Sequence, residues 1–261
     1  MNSTQPIAFD LTTIRKIWKS DILKSEAKEI EEYLRENPLL TETLNLNNTS
    51  VAIIDIQSMR YLCCLGDAEP VIGWSNDMIM REGVQFFLSK VFPPDYVGFE
   101  TMSAMTTEYV CKLDDHKIIS FKSLFDFRMV RPDGSLTRVM HQGVALKRDP
   151  FGNISFLLAL ISDITHLKRD GRQHLHLTNG SENLIYEVNN ETGISKKLES
   201  LSDREREIAR LVGKKLTSED IAKKLFISTH TVNTHRQNML KKLDMADTME
   251  LINFLTVYHL I

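Results

Sequence analysis

The apolar positions near the C-terminus recur with the period of an α-helix. Between residues 201 and 243 they predict three short helices, each with one apolar stripe. The stripes consist of Ile208, Leu211 and Val212, then Ile221, Ala222 and Leu225, then Val232, Met239 and Leu243. A side-chain oxygen that can cap a helix precedes each stripe, and an acid three residues later completes the first two caps. These pairs are Ser202 with Glu205, Thr217 with Asp220, and Ser228 with Thr231.

The connection between the second and third of these helices is very short. Only Phe226, Ile227 and Ser228 separate them, so the two helices must cross steeply, as in a helix-turn-helix. The polar side of the third helix then faces outward, where amides can read base edges and cations can neutralise phosphates. Its residues are Asn233, Thr234, Gln237 and Asn238, with the cations Arg236, Lys241 and Lys242. A small helical bundle with a solvated polar face explains the same periodicity, and the pattern alone leaves both readings open.

This stretch resembles the LuxR/FixJ/GerE-type helix-turn-helix domain. The motifs that carry the resemblance are LSDRERE at 201–207, Asp220-Ile221-Ala222 with Leu225, Ile227-Ser228, Thr231-Val232 with His235, and Lys242-Leu243. The resemblance implies base contacts by Asn233, Thr234 and Gln237, and phosphate contacts by Thr217, Thr231, Arg236 and Lys241. One position departs from the family, which commonly has glycine where this chain has Lys215. Because Gly213 lies two positions earlier, we expect the first turn to be reshaped.

The last predicted helix is apolar on most of its surface. Asp247 and Glu250 can cap it, and nine of the thirteen residues at 249–261 are apolar, which is more than one buried face requires. The resembled family dimerises through this helix, and a dimer reads a roughly palindromic site. The implied dimer contacts are Met249, Ile252, Leu255 and Tyr258. The alternative is that the preceding domain or the linker covers the second face within one chain.

Residues 46–165 show the shorter period of strands. Residues 51–56 and 60–65 predict a hairpin, 68–110 predict helices, and 121–130, 136–146 and 154–161 predict three further strands joined by turns. In the first of the three, Phe125, Phe127 and Met129 share one face, and Asp126 and Arg128 share the other.

This order of elements resembles a PAS domain. Ile72-Gly73-Trp74-Ser75, Asp133-Gly134 and the closing Asp163-Ile164-Thr165 carry the resemblance. PAS domains sense a small ligand, a cofactor or a partner between the sheet and the helices, which implies a pocket there. The candidate lining residues are Met78, Phe86, Phe99 and Met102, which suit an ordinary core equally well.

The sequence identifies no particular cofactor. It lacks the Asn-Cys-Arg motif of flavin-adduct photoreceptors, so a photoreactive flavin is not expected. His116 or His141 could be proposed as an axial haem ligand, but a lone histidine in a strand or loop is more typical of packing or surface. The three cysteines, Cys63, Cys64 and Cys111, have no zinc-site spacing, and no metal is expected.

The remaining segments predict helical cover and a linker. Residues 1–45 predict one or two amphipathic helices that either cover the next domain or form a dimerisation element. Residues 166–200 predict a helical extension, one strand at 184–188, and a polar linker. On a helix His174 and His176 would point about 200° apart, so they could not share a metal ion. We therefore interpret this segment as solvated.

Composition permits a DNA-binding protein without requiring one. The net charge is −3, yet residues 201–261 carry ten basic and eight acidic side chains, and a specific binder can concentrate such an excess on one helix. We expect neither a leader nor a membrane span, because the given sequence shows no charged-then-apolar start and no apolar run of membrane length. A cytoplasmic location without a membrane partner is expected.

The sequence therefore predicts an α+β protein with a PAS-like antiparallel sheet and a four-helix LuxR-type unit. The predicted domains are a helical segment at 1–45, a PAS-like sensor at 46–165, a linker at 166–200, and the DNA-binding domain at 201–261. The predicted function is a homodimeric transcription regulator whose partners are double-stranded DNA and, at the sensor, a small molecule or protein. No enzyme is expected because motifs for phosphate cradles, zinc hydrolases and nucleophilic serines are missing. The alternative is an interaction module with a degenerate DNA-binding domain.

Overall fold

One antiparallel sheet of eight strands runs through the described part of the chain, which in this computed structural model comprises residues 11–18, 49–168 and 170–261. Its order is β2-β1-β5-β4-β3-β6-β7-β8, and every neighbouring pair is antiparallel. The strands are β1 (Thr49–Asp55), β2 (Arg60–Leu65), β3 (Lys122–Val130), β4 (Leu136–Arg148), β5 (Ile154–Asp163), β6 (Gln173–Thr178), β7 (Asn183–Val188) and β8 (Ser195–Lys197). The predicted hairpin and the three later strands are confirmed.

The hairpins turn where the sequence supplies turn residues. Between β3 and β4, Gly134 has a φ of +82° and the Asp133 carboxylate accepts the Ser135 amide proton at 2.9 Å. Between β4 and β5, Gly152 has a φ of +85° and the Asp149 carboxylate accepts the Asn153 amide proton at 2.9 Å. Both turns combine a left-handed glycine with an aspartate that satisfies local amides.

Helices cover one face of the first five strands. They are α1 (Leu11–Trp18), α2 (Glu69–Ile72), α3 (Asn76–Ser89), a 3₁₀ turn (Pro93–Asp95), α4 (Tyr96–Cys111) and α5 (Asp115–Ile118). The core beneath them is aromatic, with Phe99 stacked edge-on against Phe125 and Phe127 at 5.6 and 5.0 Å. Only α1 of the helices predicted at 1–45 lies within the described residues, so the rest of that prediction lies outside them.

Residues 173–197 form three strands of the sheet where we expected a helical extension and a polar linker. The strand predicted at 184–188 is confirmed as β7, whereas the helix predicted through residue 177 is wrong, because β6 occupies 173–178 and pairs with the edge of β3. His174 and His176 are buried there, not solvated. The alternating QHLHLT pattern matches a strand, but its polar residues face another part of the protein instead of water. The domain boundaries themselves stay a prediction.

Four helices follow the sheet: α6 (Asp203–Gly213), α7 (Ser218–Leu225), α8 (Thr229–Leu243) and α9 (Thr248–Val257). The first two capping boxes and the Ser228 cap are present as predicted. Lys215 has a φ of +63°, so it adopts the left-handed turn conformation that glycine takes without strain. The expectation that Gly213 would reshape this turn is therefore wrong, since Gly213 ends α6.

The helical unit packs on the sheet face opposite α3 and α4. Leu124, Met140, Ile164 and Ile185 on that side belong to the same apolar cluster as Ile208, Phe254 and Tyr258 of the helices. Both faces of β3 and β4 are thus buried, and the central strands separate two cores. No helix in the described ranges is long and apolar enough to cross a membrane.

Candidate nucleic-acid interface and ligand cavity

Helix α8 separates an apolar side from a polar side as its periodicity predicts. Val232, Met239 and Leu243 are fully buried. The predicted base-contacting residues Asn233, Thr234 and Gln237 are exposed together on the opposite side. These polar side chains therefore share one accessible helix face without apolar residues among them.

Hydrogen bonds already orient part of this face. The Ser218 hydroxyl of α7 donates to the Asn233 amide oxygen at 2.8 Å, and Arg236 donates to the same hydroxyl at 2.9 Å. A second Arg236 nitrogen donates to the Thr248 hydroxyl at the start of α9 at 3.2 Å. Arg236 therefore ties three helices together while it stays partly exposed, and a phosphate would compete with those hydroxyls.

The other predicted phosphate contacts differ in how strongly they are engaged. Thr217 caps α7 by exchanging hydrogen bonds with Asp220, and the Thr231 hydroxyl lies 2.8 Å from that of Ser228. Lys241 is exposed on α8. The neighbouring Lys242, which was not among the predicted phosphate contacts, forms a 2.8 Å ion pair with Glu205. Burial would raise the pKa of Glu205, but the hydrogen bonds from Lys242 and Ser202 hold that pKa below its usual value.

The predicted dimerisation residues of α9 do not form one accessible surface. Met249 is 69% exposed and Ile252 is half-buried, whereas Leu255 and Tyr258 are fully buried. Tyr258 points into the sheet, where its hydroxyl donates to Asp126 of β3. From the sequence we also considered that the preceding domain covers the second face of this helix. That contact is present within this chain.

Asp126 is the centre of a buried charged cluster between the sheet and α9. Its carboxylate accepts from Arg138 of β4 at 2.6 Å, from Lys168 at 2.8 Å and from the backbone amide of His174 at 3.0 Å. Burial would raise the pKa of Asp126, but the charges of Lys168 and Arg138 outweigh it and hold that pKa far below its usual range. Burial lowers the pKa of Lys168 to about 8, against the attraction of Asp126.

Sequence reasoning did not find this cluster. The available signal was an aspartate in the middle of an apolar strand, SLFDFRMV, because a buried carboxylate needs partners. Those partners come from β4, from the segment before β6, and from a tyrosine 132 residues away. No local pattern connects these positions.

Further contacts surround the cluster and hold α9 on the sheet. The Arg172 guanidinium pairs with Glu250 of α9 and donates to the backbone carbonyl of Asp244 at 2.7 Å. Asn253 donates to the carbonyl of Leu167 at 3.1 Å. The His174 ring packs edge-on against Phe254 with centroids 4.9 Å apart. The contact therefore combines charge, hydrogen bonding and aromatic packing.

The other face of the same strands borders a cavity of about 80 Å³ between the sheet and helices α1, α3 and α4. Phe87 and Phe99 line it from the helices, Phe125 and His141 line it from the sheet, and Trp18 lies at its edge. Among the four predicted sensor residues only Phe99 lines the cavity. Met102 is fully buried elsewhere in the core, Phe86 packs on Trp74 at 5.2 Å, and Met78 is half-buried outside it.

His141 is a buried base in this cavity. Its Nδ1 has no hydrogen-bond partner in the described part of the chain. Burial lowers the pKa of His141 to about 4, so the ring is neutral near pH 7. The ring lies 4.7 Å from that of Phe125, its register partner on β3. His116, the other histidine weighed as a haem ligand, is exposed.

Comparison with known proteins gives a family for the helical unit. Residues 199–255 match the family described as bacterial regulatory proteins, luxR family. A putative HTH-type transcriptional regulator of Mycobacterium bovis is 43% identical over 54 residues, which are 21% of this chain and 6% of that protein. The chain thus spans only a small part of that relative.

Longer matches are more distant. The transcriptional regulatory protein LiaR of Bacillus subtilis is 29% identical over 227 residues, covering 81% of this chain and 98% of that protein. The Vibrio cholerae VqmA dimer, a LuxR-type receptor, aligns with 86% of this chain and 87% of its own at 15% identity and a TM-score of 0.33. So low a score adds nothing to the fold described above. Through residues 199–255, the chain carries a helix-turn-helix domain of the luxR family of bacterial regulatory proteins.

Proposed function

We propose that this protein is a DNA-binding transcription regulator that reads the major groove as a dimer and is controlled by its N-terminal domain. The observation that carries the proposal is the shared exposed face of Asn233, Thr234 and Gln237 on α8, within the luxR-family domain. Side-chain amides fit the N6 and N7 edge of adenine. We therefore expect adenine-containing half-sites, with Arg236 and Lys241 beside the phosphates.

The N-terminal domain is proposed to be a PAS-like sensor. The strand order β2-β1-β5-β4-β3, with helices between β2 and β3 on one face, supports this interpretation. The cavity between that face and the helices supports a small-molecule signal. Strands β6 to β8 extend the sheet, so we propose that the sensor reaches beyond residue 165 to about β8.

Control is proposed to operate through α9. In the docked state Tyr258 is covered by the sheet of the same chain and Leu255 is fully buried, so the implied dimer contacts of α9 are incomplete. Release of α9 would expose them and allow two recognition helices to sit one DNA turn apart. A ligand shifts this equilibrium only if it binds one of the two states more tightly.

Selection of binding sites from a random DNA pool tests the proposal with the full-length protein. We expect a two-fold-symmetric consensus that contains adenine. Asn233→Ala and Gln237→Ala should each weaken binding roughly 5- to 150-fold and relax one position, because a bidentate base contact contributes about 1–3 kcal/mol. Asp133→Asn, in the exposed turn between β3 and β4, serves as the control. If neither the wild-type chain nor the Tyr258→Phe variant, in which the contact of α9 with the sheet is weakened, enriches any DNA site, a protein-interaction module is favoured instead.

A further inference from the structure

We propose that Ser218 is a positioning residue that fixes the side-chain amide of Asn233 in the orientation that reads adenine and rejects guanine. Ser218 lies on α7, outside the helix that carries the predicted base contacts. The inference rests on the proposed function, because it specifies how one base of the half-site is chosen. It follows from two consecutive hydrogen bonds that join Arg236 to Ser218 and Ser218 to Asn233.

The direction of the two hydrogen bonds determines which amide atom of Asn233 faces Ser218. Arginine has donors and no acceptor, so Arg236 donates a guanidinium proton to the Ser218 oxygen at 2.9 Å. The single proton of that hydroxyl is then free for Asn233, whose Oδ1 lies 2.8 Å away. If the amide were reversed, its NH₂ group would become a second donor to the serine oxygen, and the hydroxyl proton would lose this acceptor. The two bonds therefore hold Oδ1 toward α7.

The serine hydroxyl is held in place before any DNA binds. The cap of α7 is formed by Thr217 and Asp220, so the Ser218 hydroxyl at the first helical residue is not used for capping. Ser218 is half-buried, whereas Asn233 is exposed. An exposed asparagine without such a partner samples both amide orientations and loses that freedom when it binds. The hydrogen bond from Ser218 therefore orders Asn233 in advance.

The fixed orientation favours one base over the other purine. An amide oxygen has two lone pairs, so Oδ1 of Asn233 can accept from Ser218 and from the N6 amino group of adenine, while the amide nitrogen donates to N7. Guanine presents two acceptors, O6 and N7, at the same edge. To donate to O6, Asn233 would have to reverse its amide and break the hydrogen bond from Ser218. The serine hydroxyl thus adds to the discrimination against guanine without touching the DNA.

Binding of full-length Ser218→Ala to the selected site tests the proposal, together with a site in which guanine replaces the adenine that Asn233 reads. That adenine is the position at which Asn233→Ala relaxes the consensus. We expect the preference for adenine over guanine to fall roughly 3- to 10-fold there, the effect of one hydrogen bond, with the other positions unchanged. Ser218→Thr keeps the hydroxyl and should keep the preference. Ser135→Ala removes a hydroxyl that donates to Asp133 in the β3–β4 turn; it is the matched control and should change neither affinity nor preference.

A double-mutant cycle separates positioning from a direct contact of Ser218 with DNA. In the Asn233→Ala background, Ser218→Ala should change binding by less than about twofold, because the side chain that it orients is gone. A phosphate contact by Ser218 would instead weaken binding to all sites alike and lower the salt dependence.

That result would overturn the inference and leave the regulator function standing. The same holds for an unchanged adenine preference in Ser218→Ala, for a full additional loss in the Asn233→Ala background, and for a consensus in which Asn233→Ala relaxes no adenine. If neither the wild-type chain nor Tyr258→Phe selects any DNA site, both the regulator function and this inference fail.

Discussion

Two buried polar side chains on opposite faces of the β3–β4 pair differ in how they are partnered. On the face toward the C-terminal helices, both oxygens of Asp126 are engaged by Arg138, Lys168 and Tyr258. On the face toward the N-terminal helices, the His141 side chain lines the cavity and its buried Nδ1 has no partner within the described chain. A buried polar group that is fully partnered holds elements together, whereas one without a partner suits the capture of an outside molecule.

The two sites lie back to back in one strand pair. Phe125 is in register with His141 on the cavity face, and the next residues, Asp126 and Met140, are in register on the docking face. Neighbouring residues of a strand point to opposite faces. A ligand that displaces His141 or Phe125 would therefore act on the same backbone that positions Asp126 for Tyr258. The proposed control would therefore pass from the cavity to the docked α9 through a single pair of strands.

The largest expected effect comes from removing the charge at the centre of the docking face. Asp126→Asn leaves Lys168 and Arg138 buried without a counter-charge, which costs about 3–5 kcal/mol. We expect the free energy of unfolding, measured by urea denaturation, to fall by that amount. Asp133→Asn in the exposed β3–β4 turn is the matched control and should leave it almost unchanged. A loss below about 1 kcal/mol in Asp126→Asn would mean that the cluster is solvated.

Buried histidines on both faces make the stability depend on acid. Burial holds the pKa of His141 at about 4, below the roughly 6.5 of an unfolded chain. The unfolded state therefore binds the extra proton first, and stability falls as the pH drops from about 6.5 toward 4. Burial also lowers the pKa of His174 and of His176, which adds to the fall.

His141→Phe isolates its share of this slope. Unfolding free energies measured between pH 4.5 and 6.5 should depend less steeply on pH by up to one proton, or about 1.4 kcal/mol per pH unit. The slope that remains belongs to His174, His176 and the carboxylates. An unchanged slope would show that water reaches the His141 ring, and the contrast between the two faces would fail.

Tyr258→Phe should weaken the contact between α9 and the sheet without leaving a cavity in the core. It removes one hydroxyl from the Asp126 cluster and keeps the ring against His174, which lies 5.8 Å away. We expect a loss of about 1–2 kcal/mol at the contact, a larger dimer fraction in sedimentation velocity, and tighter binding to the selected DNA. Thr256→Ala, on the exposed part of the same helix where the hydroxyl donates to the Ile252 carbonyl, should change neither. A released variant that stays monomeric would contradict dimerisation through α9.

Lys215→Gly has the smallest expected effect and lies on neither face. The left-handed φ of +63° strains a lysine, and glycine removes a strain of about 1–2 kcal/mol while adding unfolded-state entropy. Thermal unfolding should show a net gain of about 0.5–1 kcal/mol. Lys214→Gly, at an ordinary φ of −81°, should lose a similar amount. Neither change should affect the dimer fraction, because both faces remain intact.

Predictions from the sequence succeeded where a few neighbouring residues decide the structure. The caps at Ser202 and Thr217 and the turn at Gly134 depend on contacts within about three residues, and each formed as expected. The inward stripe of α8 follows from helical periodicity alone. The same periodicity located the exposed amides of Asn233 and Gln237, whose contact with DNA stays a prediction.

Only the tertiary structure determined which elements pack on the two faces of the sheet. The segment around His174 forms a strand because it pairs with the edge of β3. Tyr258 does not lie on the predicted dimer surface because its hydroxyl bonds to Asp126 of the sheet. The free ring nitrogen of His141 depends on the cavity that several distant elements enclose. Local preferences determine caps, turns and amphipathic faces. Which face packs against which depends on many contacts between residues more than a hundred positions apart. No short stretch of sequence therefore determines it.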